Sequence, residues 1–114
     1  MPILHTLLNK QCQHQTCALT PEEISGYLKV LPNWKYDGND ITRVYSFKNY
    51  YDTLAFINAI SYLIHKEDHH PIIILTYQHC RIKFITHSVN DGQGGISEND
   101  FICAAKIEAF FQLY

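Results

Sequence analysis

HHPIIILTYQHCRIKFITH, residues 69–87, reads as two strands joined by a short turn. Its first half, from Pro71 to Tyr77, is one continuous apolar run, which predicts a strand buried on both faces or nearly so. Its second half alternates, with Ile82, Phe84 and Thr86 set against Arg81, Lys83, Ile85 and His87. The join at Gln78–His79 is too short for a crossover, so the two strands pair antiparallel. A hairpin returns its second end to the start of its first, which brings His87 back beside His69 and His70.

The pattern on either side completes a fold. Upstream, NYYDTLAFINAISYLIHKEDH predicts a long helix over about residues 49–68. Leu54, Ile57, Ile60 and Ile64 recur at three- and four-residue spacing, and Phe56, Ala59 and Leu63 widen the stripe, so the helix is expected to be well buried. Pro71 disfavours the helical conformation at His70 and ends the helix before it. Further upstream, WKYDGNDITRVYSF predicts a hairpin turning near Asp37–Asp40, its second strand about Ile41 to Phe47. Thr20-Pro21-Glu22-Glu23 opens a helix that runs to about Leu31, with Thr20 as cap and Glu23 closing the box. Downstream, SVNDGQGG is a loop, and Ser97-Glu98-Asn99-Asp100 opens a last helix. The order α-β-β-α-β-β-α predicts an α+β two-layer sandwich: a four-stranded antiparallel sheet with three helices on one face. Its edges are a liability, and self-association by edge pairing or helix packing is expected.

The totals exclude several classes. A length of 114 residues suits one domain, and 46 % hydrophobic residues suit a packed core. Residues 1–18 lack any sustained period and read as a loosely packed tail; residues 19–114 read as the domain. Net charge is −2 with no basic run, which argues against a nucleic-acid surface. No apolar stretch spans a bilayer and no secretory signal is recognised, so a cytoplasmic protein is expected. Cys80 and Cys103 fall inside patterned elements as buried thiols, whereas Cys12 and Cys17 lie in the tail, too sparse for a metal knuckle.

Five of the seven histidines fall between residues 65 and 87. Three readings fit. In a metal site, His65, His69 and His87 would supply nitrogens, with Asp68 or Asp100 as a fourth ligand, although no HExxH pattern is present. A proton-transfer site would use the imidazoles as acid and base, with Asp68 or Asp100 orienting a ring. In a plain helix end, the histidines answer the helix dipole, Asp100 only closes a capping box, and Glu67 is a solvated surface charge.

The run His65-x3-His69-His70-Pro71, Tyr77, Thr86-His87 and Asp100 resembles the signature of the pterin-4a-carbinolamine dehydratases. The similarity extends over about residues 19–112, through LTPEEISGYLKVLPNWKYDGNDITRVYSF and YYDTLAFINAISYLIHKEDHHP. It implies dehydration of 4a-hydroxytetrahydropterin to quinonoid dihydropterin, recycling tetrahydrobiopterin-type pterins for an aromatic amino acid hydroxylase, with no metal and no organic cofactor. It implies a homodimer or homotetramer. It makes His69, His70 and His87 the catalytic histidines, with His70 and His87 flanking the pterin and His69 orienting it. Pro71, Thr86, Ser88 and Val89 would join them in binding substrate. Asp100, Asp68 and His65 would stand behind them, Asp100 at the His87 end. His65 stands where many members have a carboxylate, and the loop Asn90–Gly95 is longer than in vertebrate members. Some relatives on this fold are coactivators or assembly factors, so a non-catalytic interaction module is the alternative.

Overall fold

The central hairpin forms as the alternation of its second strand dictates, but its first strand sits differently. The computed structural model describes residues 3–113. It contains α1 (Leu4–Leu8), α2 (Pro21–Val30), β1 (Lys35–Tyr36), β2 (Ile41–Ser46), α3 (Tyr50–Glu67), β3 (Ile72–Leu75), β4 (His79–Phe84), a 3₁₀ turn (Asn90–Gly92) and α4 (Glu98–Gln112). The four strands form one antiparallel sheet in the order β1-β2-β4-β3. β4 is central, which is why Cys80, Ile82 and Phe84 are fully buried. β3 is an edge strand, not a strand buried on both faces: Ile72 and Ile74 stay exposed while Ile73 and Leu75 turn inward. An unbroken apolar run does not reveal whether its second face has a cover. The turn also begins one residue earlier than expected, with the Thr76 N–H donating to the His79 carbonyl across Tyr77–Gln78 (2.9 Å).

The first hairpin turns where its residues demand. The Asp37 carboxylate accepts from the Asn39 and Asp40 N–H groups (2.9 and 2.7 Å), and Gly38 takes φ +94°. Thr20 and Glu23 form the expected capping box on α2. The inward residues of β2, Ile41, Arg43 and Tyr45, meet the helical layer. There Glu108 of α4 accepts from Arg43 Nε (2.7 Å), Tyr45 OH (2.9 Å) and Trp34 Nε1 (3.1 Å). Each fully buried aromatic, among them Tyr45, Phe56, Phe84 and Phe101, stabilises the fold by roughly 1.5–3 kcal/mol.

α3 is less buried than its stripe suggests. Thr53, Phe56, Ile60 and Glu67 face the core, whereas Leu54, Tyr51 and Tyr62 are exposed. An eighteen-residue helix lying on a four-stranded sheet covers only one of its faces, and the wide stripe exceeds that contact. Its end is set by Asp68 in the left-handed conformation (φ 51°), three residues before Pro71.

Residues 3–18 depart from the loose tail read from sequence. α1 packs on α4 and buries Leu7. The chain then runs along the sheet end, and the Leu19 N–H donates to the Ile96 carbonyl (2.7 Å). Gly95 is the point of closest approach: a Cβ there would meet Ala18 Cβ at 3.0 Å. A five-residue helix with no period beyond itself carries too little pattern to be read in advance.

Candidate active site

Three chain segments meet at the end of the sheet. α3 ends and delivers Glu67, Asp68, His69 and His70; the backbone beyond β4 delivers Ile85, Thr86, His87 and Ser88; α4 begins with Asn99 and Asp100. Between them lies a pocket of about 420 Å³, lined by Asp68, His69, His70, Thr86, His87 and Ser88 among others. That volume falls within the roughly 300–1,000 Å³ of small-molecule sites. A larger hollow of about 930 Å³ lies between α1 and α2, but no histidine lines it. The histidine pocket is the better candidate because proton-transferring groups converge there.

His69 is the most constrained of the three histidines. Its side chain is 12 % exposed, and its ring stacks on Phe84 with centroids 5.6 Å apart and planes 5° apart. Its Nε2 lies 2.6 Å from Oδ1 of Asp100, which is fully buried. The other oxygen of Asp100 accepts from the Ser97 N–H and from the Thr86 hydroxyl (both 2.9 Å). Thr86 Oγ1 is in turn 2.6 Å from Ser97 Oγ. A carboxylate only accepts hydrogen bonds, so it holds the proton of His69 on Nε2 and leaves Nδ1 as the free nitrogen. Asp100 therefore does more than close the capping box of α4: one oxygen holds His69, and the other holds Thr86, the residue before His87. The hairpin and the helix start converge on it through Thr86 and Ser97.

His70 and His87 are solvent-facing. The His70 side chain is 71 % exposed, with Nε2 3.6 Å from the Asp68 carboxylate, itself 89 % exposed. His87 is exposed on the same pocket. Two open imidazoles and one fixed one can bind and exchange protons with a small molecule that enters between them.

Glu67 is a second correction. It is buried, accepting from Lys106 Nζ (2.7 Å) and from the Cys12 N–H (2.8 Å). Burial alone would raise its carboxyl, but the Lys106 ammonium and the Cys12 N–H outweigh it and hold the group below the ordinary range. It ties α3, α4 and the N-terminal segment together directly behind His69. Among the described residues, no group of three or more His, Cys, Asp or Glu side chains is arranged to hold a metal ion. His65, the metal reading's extra ligand, is exposed on α3 and outside the pocket lining.

Residues 17–110 match the family model described as pterin 4 alpha carbinolamine dehydratase. The chain belongs to this family. A Bdellovibrio bacteriovorus protein is 57 % identical over 103 residues, covering 90 % of this chain and 86 % of its own length. A Nitrosospira multiformis protein is 46 % identical over 110 residues, covering 94 % of each chain. Both carry the name "Putative pterin-4-alpha-carbinolamine dehydratase". The fold is also that of a crystal structure named transcriptional coactivator/pterin dehydratase from Brucella melitensis. That chain is 31 % identical, with a TM-score of 0.72, covering 81 % of this chain and 96 % of its own.

Within this dehydratase-family chain, the residues singled out in sequence separate into layers. His69, His70, His87, Thr86, Ser88 and Asp68 line the pocket. Asp100 reaches it from beneath. Pro71 and Val89 do not line it; Val89 is fully buried under the loop it opens. Sequence reading missed Cys12, Gln13, His14 and Gln15, which also line the pocket. No periodicity marks them, and the only signal is the density of polar side chains just before the first capping box.

Proposed function

We propose that the chain removes water from 4a-hydroxytetrahydropterin to give quinonoid dihydropterin. The reading rests on family membership, and one observation carries it to the residues: a buried carboxylate fixes His69 in one orientation beside two open histidines. The 4a-hydroxyl takes a proton and leaves as water, and N5 gives up its proton. His70 and His87 do this as acid and base, one on each side of the ring. His69, its ring held by Phe84 and Asp100, binds and orients the bicycle. The product is the oxidised form that an aromatic amino acid hydroxylase needs reduced and returned, so the chain works in pterin recycling. Among the described residues no helix is long and apolar enough to cross a membrane, which fits work in the cytoplasm. The unpaired edge of β3, with Ile72 and Ile74 exposed, supports assembly into a homodimer or homotetramer.

The test follows the decay of 4a-hydroxypterin absorbance. Wild type accelerates it, EDTA leaves the rate unchanged, and His70→Ala and His87→Ala each slow it by about 10²-fold or more. No acceleration by wild type sinks the enzyme reading, and unchanged rates in both variants sink the assignment of roles. The Brucella relative's name, which includes coactivator, favours one other reading, an interaction module. That module would hold its protein partner after loss of both histidines.

A further inference from the structure

The segment Cys12–Gln15 is anchored to every element that carries a site residue. The Cys12 N–H donates to Glu67 (2.8 Å), two positions before His69. The Gln13 N–H donates to Asn99 Oδ1 (3.1 Å), whose amide donates back to the Gln13 carbonyl, and Asn99 adjoins Asp100. The Ser88 hydroxyl donates to the Gln15 carbonyl (2.9 Å), and Ser88 follows His87. Glu67 and Asn99 are themselves buried, so the anchors are rigid. These bonds use the N–H groups of Cys12 and Gln13 and the carbonyls of Gln13 and Gln15. The Gln13 and His14 side chains are exposed on the pocket and, among the described residues, make no hydrogen bond of their own.

We propose that this strap is the substrate-recognition wall of the pocket, with Gln13 and His14 hydrogen-bonding the substituent that projects from the bicyclic ring. The inference rests on the dehydratase reading. An amide and an imidazole offer both donors and acceptors without a permanent charge, which matches a neutral, hydroxyl-bearing substituent. Asp68 also lines the pocket, and its exposed carboxylate disfavours a phosphorylated one. The strap is held by the same residues that shape the histidine site, so recognition at the mouth and orientation at the ring share one framework.

The test compares two 4a-hydroxytetrahydropterins, one with a 6-methyl group and one with a 6-dihydroxypropyl group, on wild type and Gln13→Ala/His14→Ala. Both substitutions are at exposed positions, so the variant is expected to fold. KM for the dihydroxypropyl substrate should rise about 3- to 10-fold, with kcat within twofold and the methyl substrate unaffected. Equal changes on both substrates, or no change on either, overturn the proposal. Calorimetric binding of the matching 7,8-dihydropterins separates the two levels. If wild type does not dehydrate either substrate, the dehydratase reading fails. The strap proposal then still stands or falls on whether the variant loses the preference for the hydroxylated ligand.

Discussion

Replacing Asp100 with Asn changes one oxygen to an NH2 group in a fully buried position, and the outcome can be worked atom by atom. Three donors converge on the carboxylate: the Ser97 N–H and Thr86 hydroxyl on one oxygen, and His69 Nε2 on the other. The Ser97 N–H is fixed by the start of α4, so the amide oxygen must take that side. The amide NH2 then faces His69 Nε2 across a contact of 2.6 Å. Two donors cannot share it, so His69 moves its proton to Nδ1 or swings away from Phe84. Exchanging charge-assisted bonds for neutral ones, with strain at the ring, costs about 1–3 kcal/mol of stability. That corresponds to a fall of roughly 4–8 °C in Tm per kcal/mol. The variant therefore stays folded at 25 °C, as far-UV circular dichroism would verify. Its dehydration rate should fall by about 10²-fold, the scale of a misplacement of about 1 Å, because a displaced His69 no longer orients the ring between His70 and His87. A folded Asp100→Asn variant with a rate within threefold of wild type would refute the reasoning.

Other outcomes follow from the same geometry. Glu67→Ala should lower stability by about 1–3 kcal/mol in urea titration, because it leaves Lys106 and the Cys12 N–H without their shared acceptor; a change below 0.5 kcal/mol, roughly the scatter for surface sites, would contradict its burial. Glu67, Glu98 and Glu108 are each buried enough to raise their carboxyls, yet Lys106, Lys10 with Tyr27, and Arg43 with Tyr45 hold them below the ordinary value of 4.5. Their contribution is complete above that value and is lost as pH falls through the lower folded values, so Tm should decline on acidification below about 4.5. Glu108→Gln should make that decline shallower, and an unchanged slope would count against the linkage. With a thiol reagent, exposed Cys17 should react first, whereas Cys80, buried and pushed up to about 11, should react only on unfolding; prompt reaction of Cys80 would contradict its place on β4.

The hairpin was legible because alternation in Cys80–His87 is a local signal, and the closeness of His70 and His87 needs only that hairpin. Both capping boxes were legible for the same reason: they are four-residue chemistry. The edge position of β3 was not, since strand order depends on which neighbour β2 chooses, and β2 pairs with β4 through contacts about 40 residues apart. Glu67 looked like surface because its partners, Lys106 and the Cys12 backbone, lie 39 and 55 residues away. The strap was hidden for a related reason: backbone donors carry no residue-type signature. Asp100 meets the His87 end through Thr86, as the resemblance implies; its bond to His69 is not legible, because the helix start faces that ring by a rotation that sequence does not encode.

The contact between His69 and Phe84 has a practical side. Phe84 lies with its other neighbour, Trp34, at a centroid distance of 6.1 Å, and Trp34 is the chain's single tryptophan. The indole is 2 % exposed and its N–H is tied to Glu108, so solvent contributes little to its emission. Phe84 thus stands between the His69 ring and the indole, whose other aromatic neighbour is Tyr45 at 6.4 Å. The single tryptophan is therefore one ring removed from the floor of the pocket, and its emission is expected to change on pterin binding, as a fluorescence titration would check.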